Sequence, residues 1–263
     1  GLDLSGSYTF GHSKSVNDGT SSVAYSNWQY NYSKDSNSKG ELGYSRFDIP
    51  HRISLQASYT TPKYLNGWMS TTVGITYNAS PGGRYSLSYD DAKDFNGDGS
   101  RGTTLLYIPT DKELEDMNFV DNFDKQGNLI MSKEESREAF RQWILNDDYA
   151  KNHRGQFAER NSNLTKWEHE INLHVAQDIF YLKERGSKIQ VTFDVINFAN
   201  MLNKKWGANY YLPYNLTPVT VSGSTNADGI LVPEYTFKDQ SNVLTKNDIS
   251  SRWHCQVGVR LTF

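Results

Sequence analysis

Trp253-His254-Cys255-Gln256-Val257-Gly258-Val259-Arg260-Leu261-Thr262-Phe263 alternates apolar and polar residues with a period of two. Trp253, Cys255, Val257, Val259, Leu261 and Phe263 fall on one side of a strand; His254, Gln256, Gly258, Arg260 and Thr262 fall on the other. In a soluble domain the oily side meets a core. In a closed transmembrane barrel it meets lipid, and the polar side encloses water.

Five further stretches follow the same rule. Leu2, Leu4, Tyr8 and Phe10 mark a first strand to about His12, and Ile53, Leu55, Ala57 and Tyr59 a second over Arg52 to Thr61. Met69, Val73, Ile75 and Tyr77 mark a third over Trp68 to Ala79. Trp167, Ile171, Leu173, Val175, Ile179 and Tyr181 mark a fourth over Thr165 to Tyr181. Ile189, Val191, Phe193 and Val195 mark a fifth. The links after the second and fourth strands, Lys63 to Gly67 and Lys183 to Gly186, read as tight turns. Those after the first, third and fifth are long. Outer-membrane barrels sort connections in this way, with short periplasmic turns and long extracellular loops. The last strand then runs downward and leaves Phe263 at the periplasmic rim.

Composition fits this choice. The 263 residues are 37% hydrophobic with 17 Tyr, 12 Phe and 6 Trp, and no apolar run long enough for a membrane helix occurs. A net charge of -3 and the lack of a basic, aromatic-interleaved stripe argue against nucleic acid as a partner. The single Cys255 excludes an internal disulfide. No export signal precedes the first strand, so the chain reads as a mature or internal segment. Inside the longest connection, Ser132 to Glu135 forms a capping-box pattern that opens one short helix with Ala139, Phe140, Trp143 and Ile144 on a stripe.

Four segments carry a family resemblance. They are Pro50-His51-Arg52-Ile53; Asp94-Phe95-Asn96-Gly97-Asp98-Gly99 with Leu106-Tyr107-Ile108-Pro109; His153-Arg154-Gly155 with Glu159-Arg160-Asn161; and Val191 to Phe198 with Asn200, Leu202-Asn203-Lys204 and Trp206-Gly207. With the terminal Gly258 to Phe263, they resemble the C-terminal barrel portion of a Bacteroidetes TonB-dependent outer-membrane transporter. The resemblance implies an all-β fold: residues 1–263 as about six antiparallel transmembrane strands of a barrel of about 22, with long extracellular loops. It implies the rest of the barrel and a plug domain, the TonB complex and outer-membrane lipid as partners, with a surface lipoprotein by analogy, and import of a large nutrient without enzymatic chemistry. Arg84 to Asp90 and Leu231 to Phe237 are expected to extend barrel strands above the membrane. A passive channel or adhesin barrel, and a soluble β-sandwich carbohydrate-binding module, are the alternatives.

Candidate sites follow from residue type. Asp94, Asn96 and Asp98 with Gly99 match the opening of a calcium loop, although Leu105 stands where the closing bidentate Glu belongs. Arg52, Glu168, Glu170, His174, Asp178, Asp194 and Arg260 form a charged lumen wall. His169 and His174, five residues apart on a strand, fall on opposite faces and do not make a zinc pair. Trp28, Tyr30, Trp206, Tyr210 and Tyr211, with Tyr25, Tyr32 and Tyr214, are the loop aromatics able to stack on a substrate. Trp253, Val257, Val259, Leu261 and Phe263 face lipid and form the assembly signal. No nucleophile, base and orienter set occurs.

Overall fold

The computed structural model describes residues 1–91, 94–182, 187–213 and 215–263; the expected turn at Lys183 to Gly186 and Tyr214 lie outside them. The strands are β1 (Leu2–Phe10), β2 (His51–Thr60), β3 (Met69–Pro81), β4 (Leu87–Asp91), β5 (Trp167–Leu182), β6 (Ser187–Ile196), β7 (Leu216–Thr225), β8 (Leu231–Phe237) and β9 (His254–Thr262), beside several two- or three-residue pairings. The helices are α1 (Ala24–Gln29), α2 (Asp111–Asp116), α3 (Lys133–Asn146) and α4 (Phe198–Leu202). The fold is all-β in its frame.

Six strands form one sheet in the order β1-β2-β3-β5-β6-β9, antiparallel at every pairing. These are the six period-two stretches. Register aligns them by kind: Leu4 opposes Ala57, Ala57 opposes Ile75, Ile75 opposes Leu173, Leu173 opposes Val195 and Val195 opposes Cys255. The intervening rows are polar, as in Ser58 against Gly74, Gly74 against His174, and His174 against Asp194. A slip of one residue would exchange the two faces, so the apolar pattern of each strand fixes its pairing.

Most of the apolar face is bare; Ala79 and Val195, toward the end that carries the long connections, are each 3% exposed. Val257, Val259 and Leu261 are 66%, 68% and 61% exposed, and Leu2, Leu4, Leu55, Val73, Ile75 and Phe193 are exposed with them. No second sheet lies over it among the described residues. Toward the end that carries the long connections, this face is edged by rings: Phe10 and Tyr8 both neighbour His51, which is followed by Trp167, His169 and Tyr77, with neighbouring centroids 5.2–6.2 Å apart. At the other end, β2 turns into β3 through Leu65, Asn66 and Gly67 with φ of 49°, 56° and 85°.

The hydrophobic core is in the connections instead. Leu87, Tyr89, Leu106, Ile108, Leu114, Phe119, Phe140, Ile144, Leu216, Val219 and Val221 form one buried cluster, and the six-stranded sheet supplies none of its members. The expected helix is α3: Ser132 accepts from the Glu135 N–H and Glu135 accepts from the Ser132 N–H. Its stripe buries Phe140 and Ile144, with Trp143 packed alongside. The sequence pattern points to one helix, where the described residues hold four α-helices. Thr110 and Glu113 cap α2 by the same reciprocal box, a signal in plain view after Pro109.

The expected extensions behave differently from the reading above. Arg84–Tyr85 does continue the β3–β5 ladder, pairing with Asn163–Leu164 in an unbroken register. Leu87–Asp91 and Leu231–Phe237 do not. They join a separate sheet, β8-β7-β4, in which β7 runs parallel to β4. The departure occurs at Ser86, whose N–H donates to Asn215 Oδ1 and whose carbonyl accepts from the Leu216 N–H. The third long connection thereby captures the backbone that would have carried the ladder of the six-stranded sheet onward.

Candidate functional site

The three long connections meet where β3 and β5 leave the sheet, and a buried ionic lock holds them. Asp48, from the first connection, accepts from Arg84 Nε at 2.7 Å and Nη2 at 2.6 Å, with the two side chains 2% and 3% exposed. It also accepts from the Ser13 N–H and lies 3.4 Å from His12 Nδ1. Arg84 stacks 4.0 Å from the Tyr44 ring centre and donates to the carbonyls of Asn161 and Ser162. Burial opposes the charge on Asp48, but the Ser13 N–H, Arg84 and His12 outweigh it and hold the carboxyl below its ordinary value.

Arg160 forms the second tie. Its guanidinium donates to the carbonyls of Ser15 and Val16 and to Asn31 Oδ1, which binds the first connection across more than a hundred residues of chain. Gly43 makes room for it. A Cβ there would stand 2.9 Å from Arg160 Cβ and 3.0 Å from Nε. Asn161, in the left-handed region at φ 55°, accepts from the Ser86 hydroxyl and donates to the Tyr44 carbonyl. The sequence marked Arg160 and Asn161 only as part of a family pattern; their neighbours in space come from three distant segments, which no local spacing reveals.

Cavities lie around this lock. One of about 260 Å³ is lined by Arg46, Arg84, Arg160, Tyr30, Tyr32 and Asn215, among others. A second, of about 460 Å³, lies between Tyr85, Trp143, Lys166, Tyr210 and Gln240. Leu212 lines both, so the strand-like segment around it divides the space. The expected loop aromatics therefore separate. Tyr30 faces the first cavity and Tyr210 the second, where the Lys166 ammonium is 5.3 Å from its ring centre. Trp28 packs beside Tyr25 and donates from Nε1 to the Ser38 hydroxyl. Trp206 and Tyr211 are exposed and line neither.

The charged residues of the polar face form local sets. His174 Nδ1 is 2.5 Å from Asp194 Oδ1, and Asp178 accepts from Lys188 Nζ at 2.7 Å and Gln190 Nε2 at 2.9 Å. Arg52, Glu168 and Glu170 share a recess of about 290 Å³ with Asn78, Ser80 and Asn209. Arg260 stands opposite Gln190 and is exposed. His169 bonds the Tyr77 hydroxyl at 2.8 Å on the other face, away from His174.

The Asp94 loop closes on its own backbone. Asp94 accepts from the N–H groups of Asp98 (3.0 Å) and Gly99 (2.7 Å), and Asp98 from those of Ser100 and Asn37. This is Asx-turn chemistry, with both glycines at positive φ. Among the described residues no three His, Cys, Asp or Glu side chains are grouped to hold a metal ion. Calcium at Asp94, Asn96 and Asp98 would compete with these donors.

Close by, Asp91 is 6% exposed. Burial pushes its carboxyl up to about 6 against the stabilising Gly102 N–H and Thr104 hydroxyl. A carboxylate raised on folding favours the folded state while it holds its proton, so this contribution is lost as pH rises from the ordinary carboxylate range through about 6. Asp91→Asn is expected to protect the loop core more than the parent at pH 8 and equally at pH 4, read by amide exchange of β4 and β7.

Comparison with known protein families, curated proteins and solved structures returned no match. Functional assignment therefore rests on the geometry.

Proposed function

We propose that this chain is part of an outer-membrane active transporter, the C-terminal strands of a TonB-gated, plugged barrel that imports a large nutrient. The observation that carries the reading is the largely bare apolar face set against a core located elsewhere. Burying apolar side chains is the dominant favourable term in folding, and a sheet that leaves most of one apolar face uncovered is suited to an apolar solvent. A sandwich would bury that face under a second sheet.

Further features agree. Strand lengths of 9, 10, 10 and 9 residues for β1, β2, β6 and β9 match the roughly 9–11 that cross a bilayer when tilted. The ring row from Phe10 to Tyr77 and the Tyr181 and Trp253 side chains suit the two interfaces, where amphipathic rings concentrate. The outer edges of β1 and β9 are unpaired in the sheet, which is where further barrel strands would add. The polar face, with its paired carboxylates, is the wall against which a plug would sit. The loops, packed by their own core, form a rigid extracellular mouth rather than a mobile fringe, and that favours selective capture over passive flow.

Cys255 supplies a direct test, because it is the sole cysteine, is exposed and shares the face of Val257. In phospholipid vesicles a charged maleimide is expected to leave it untouched, because the reagent stays in water and adds to a thiolate that hydrocarbon does not support, and to label it once detergent and denaturant open the strand. With Cys255→Ala, a cysteine placed by Gln256→Cys should take the charged reagent in the intact vesicles. Equal labelling of Cys255 and of the Gln256→Cys variant in intact vesicles would sink the bilayer reading.

A further inference from the structure

The cavity at the ionic lock has more cation than its protein partners neutralise. Three guanidinium groups line it, Arg46, Arg84 and Arg160, against one carboxylate, Asp18. Arg84 is satisfied from behind by buried Asp48. Asp18 accepts from the Ser15 hydroxyl (2.7 Å), the Arg46 backbone N–H (3.1 Å) and Asn161 Nδ2 (3.5 Å), and with Glu41 it acts on the Arg160 guanidinium only through space.

Arg160 donates only to neutral oxygens, the carbonyls of Ser15 and Val16 and the Asn31 amide, so its charge is hydrogen-bonded without an ion pair. The Arg46 side chain has no carboxylate within ion-pair distance among the described residues and is exposed at the cavity. Excess positive charge in a partly enclosed, low-dielectric recess attracts an anion, and a guanidinium fork matches a carboxylate or phosphate in two parallel bonds.

The rest of the lining suits a small polar group. Asn17 and Asn27 brace the loop backbone and Asn215 holds the Ser86 N–H, while Tyr30 and Tyr32 present hydroxyls on flat rings. The three long connections each contribute, through Arg46, Arg160 and Asn215, so the recess exists only when all three are docked. At about 260 Å³ it has room for a small organic acid or for the charged end of a larger solute.

We propose that this recess is an anion-binding site in the loop assembly, taking the carboxylate or phosphate group of a ligand with Arg46 as its principal contact. It deepens the transporter reading by giving the captured solute a negative charge, and rests on that reading only for the purpose of capture.

The test is calorimetric titration of the complete protein in detergent with citrate, glutarate, inorganic phosphate and glucuronate, and with glucose as the uncharged match to glucuronate. At least one anion is expected to bind, with glucose at least tenfold weaker than glucuronate if the sugar acid is the binder. Arg46→Gln should weaken the binder at least tenfold, Arg46→Lys less, and rising salt should weaken parent binding more than that of Arg46→Gln. Arg46 is exposed and makes no side-chain ion pair, so its replacement leaves the lock intact; an unchanged thermal transition verifies this. Binding by none of the four anions, equal binding of glucose and glucuronate, or an unaltered Arg46→Gln overturns the site. Detergent binding needs neither TonB nor a bilayer. Intact anion binding with failed TonB-dependent uptake would therefore refute the transporter and leave the site standing.

Discussion

Val259→Arg is expected to remove about 2–4 kcal/mol of folded stability in phospholipid vesicles, while Gln256→Arg, three residues away, changes it by less than about 1 kcal/mol. Val259 opposes Val191 in the middle of the apolar face and is 68% exposed, so an arginine there projects away from protein. On the proposed lipid-facing side, near the bilayer midplane, it would carry its charge into hydrocarbon. Gln256 opposes Asp194 on the polar face, where an added guanidinium meets water and a carboxylate. Depth supplies a further control. Phe10 lies in the ring row at the edge of the face, and Phe10→Arg should cost only about 0–1 kcal/mol, because the side chain reaches headgroups. Guanidinium titration of the vesicle-bound protein reads all three. A Val259→Arg penalty no larger than that of Gln256→Arg would remove the physical basis for placing this face in lipid.

The sheet was legible in the sequence because its rule is local. Each strand carries its own period-two pattern, and once Val257, Val191 and Val175 must share a face, pairing and register follow. The loop assembly has no such rule. Leu216 to Thr225 contains the alternation Val219, Thr220, Val221, Ser222, but Pro218 interrupts it and the strand pairs in parallel with residues more than a hundred positions earlier. Turning Leu87–Asp91 out of the sheet ladder depends on Asn215 meeting Ser86, a contact between two loops. The cavity was missed for the same reason. Aromatic residues drew attention as binding surfaces, yet Trp28, Trp206 and Tyr211 line neither of the loop cavities, whereas Arg46, Arg84 and Arg160 stand isolated in the sequence and converge only after folding. The charged residues of the polar face were partly visible: parity put His174 and Asp194 on one face, but only register made them partners.

Asp48→Ala is expected to cost about 3–5 kcal/mol in the docking of the first long connection, because it leaves the Arg84 guanidinium buried without its counter-charge. The loss should be regional. Amide exchange should accelerate from Ser13 to Tyr44 and around Asn161, while β6 keeps its protection, since that strand pairs only within the sheet. Replacing both partners, with Asp48→Leu and Arg84→Met, removes the stranded charge, and much of the loss should be recovered although the ion pair is gone. That contrast separates a penalty for burying a lone cation from a net attraction of the pair. Proton linkage provides the same distinction without mutation. The Asp48 carboxyl is held below its ordinary value on folding, so its contribution is complete above the ordinary carboxylate range and is lost as pH falls through the depressed value. Acid should therefore release the Ser13–Tyr44 segment of the parent before the sheet opens, and the double variant should lack this step. Loss of the lock dismantles the wall shared by Arg46, Arg84 and Arg160, so Asp48→Ala should also abolish the proposed anion binding in the recess while leaving the six strands of the sheet paired.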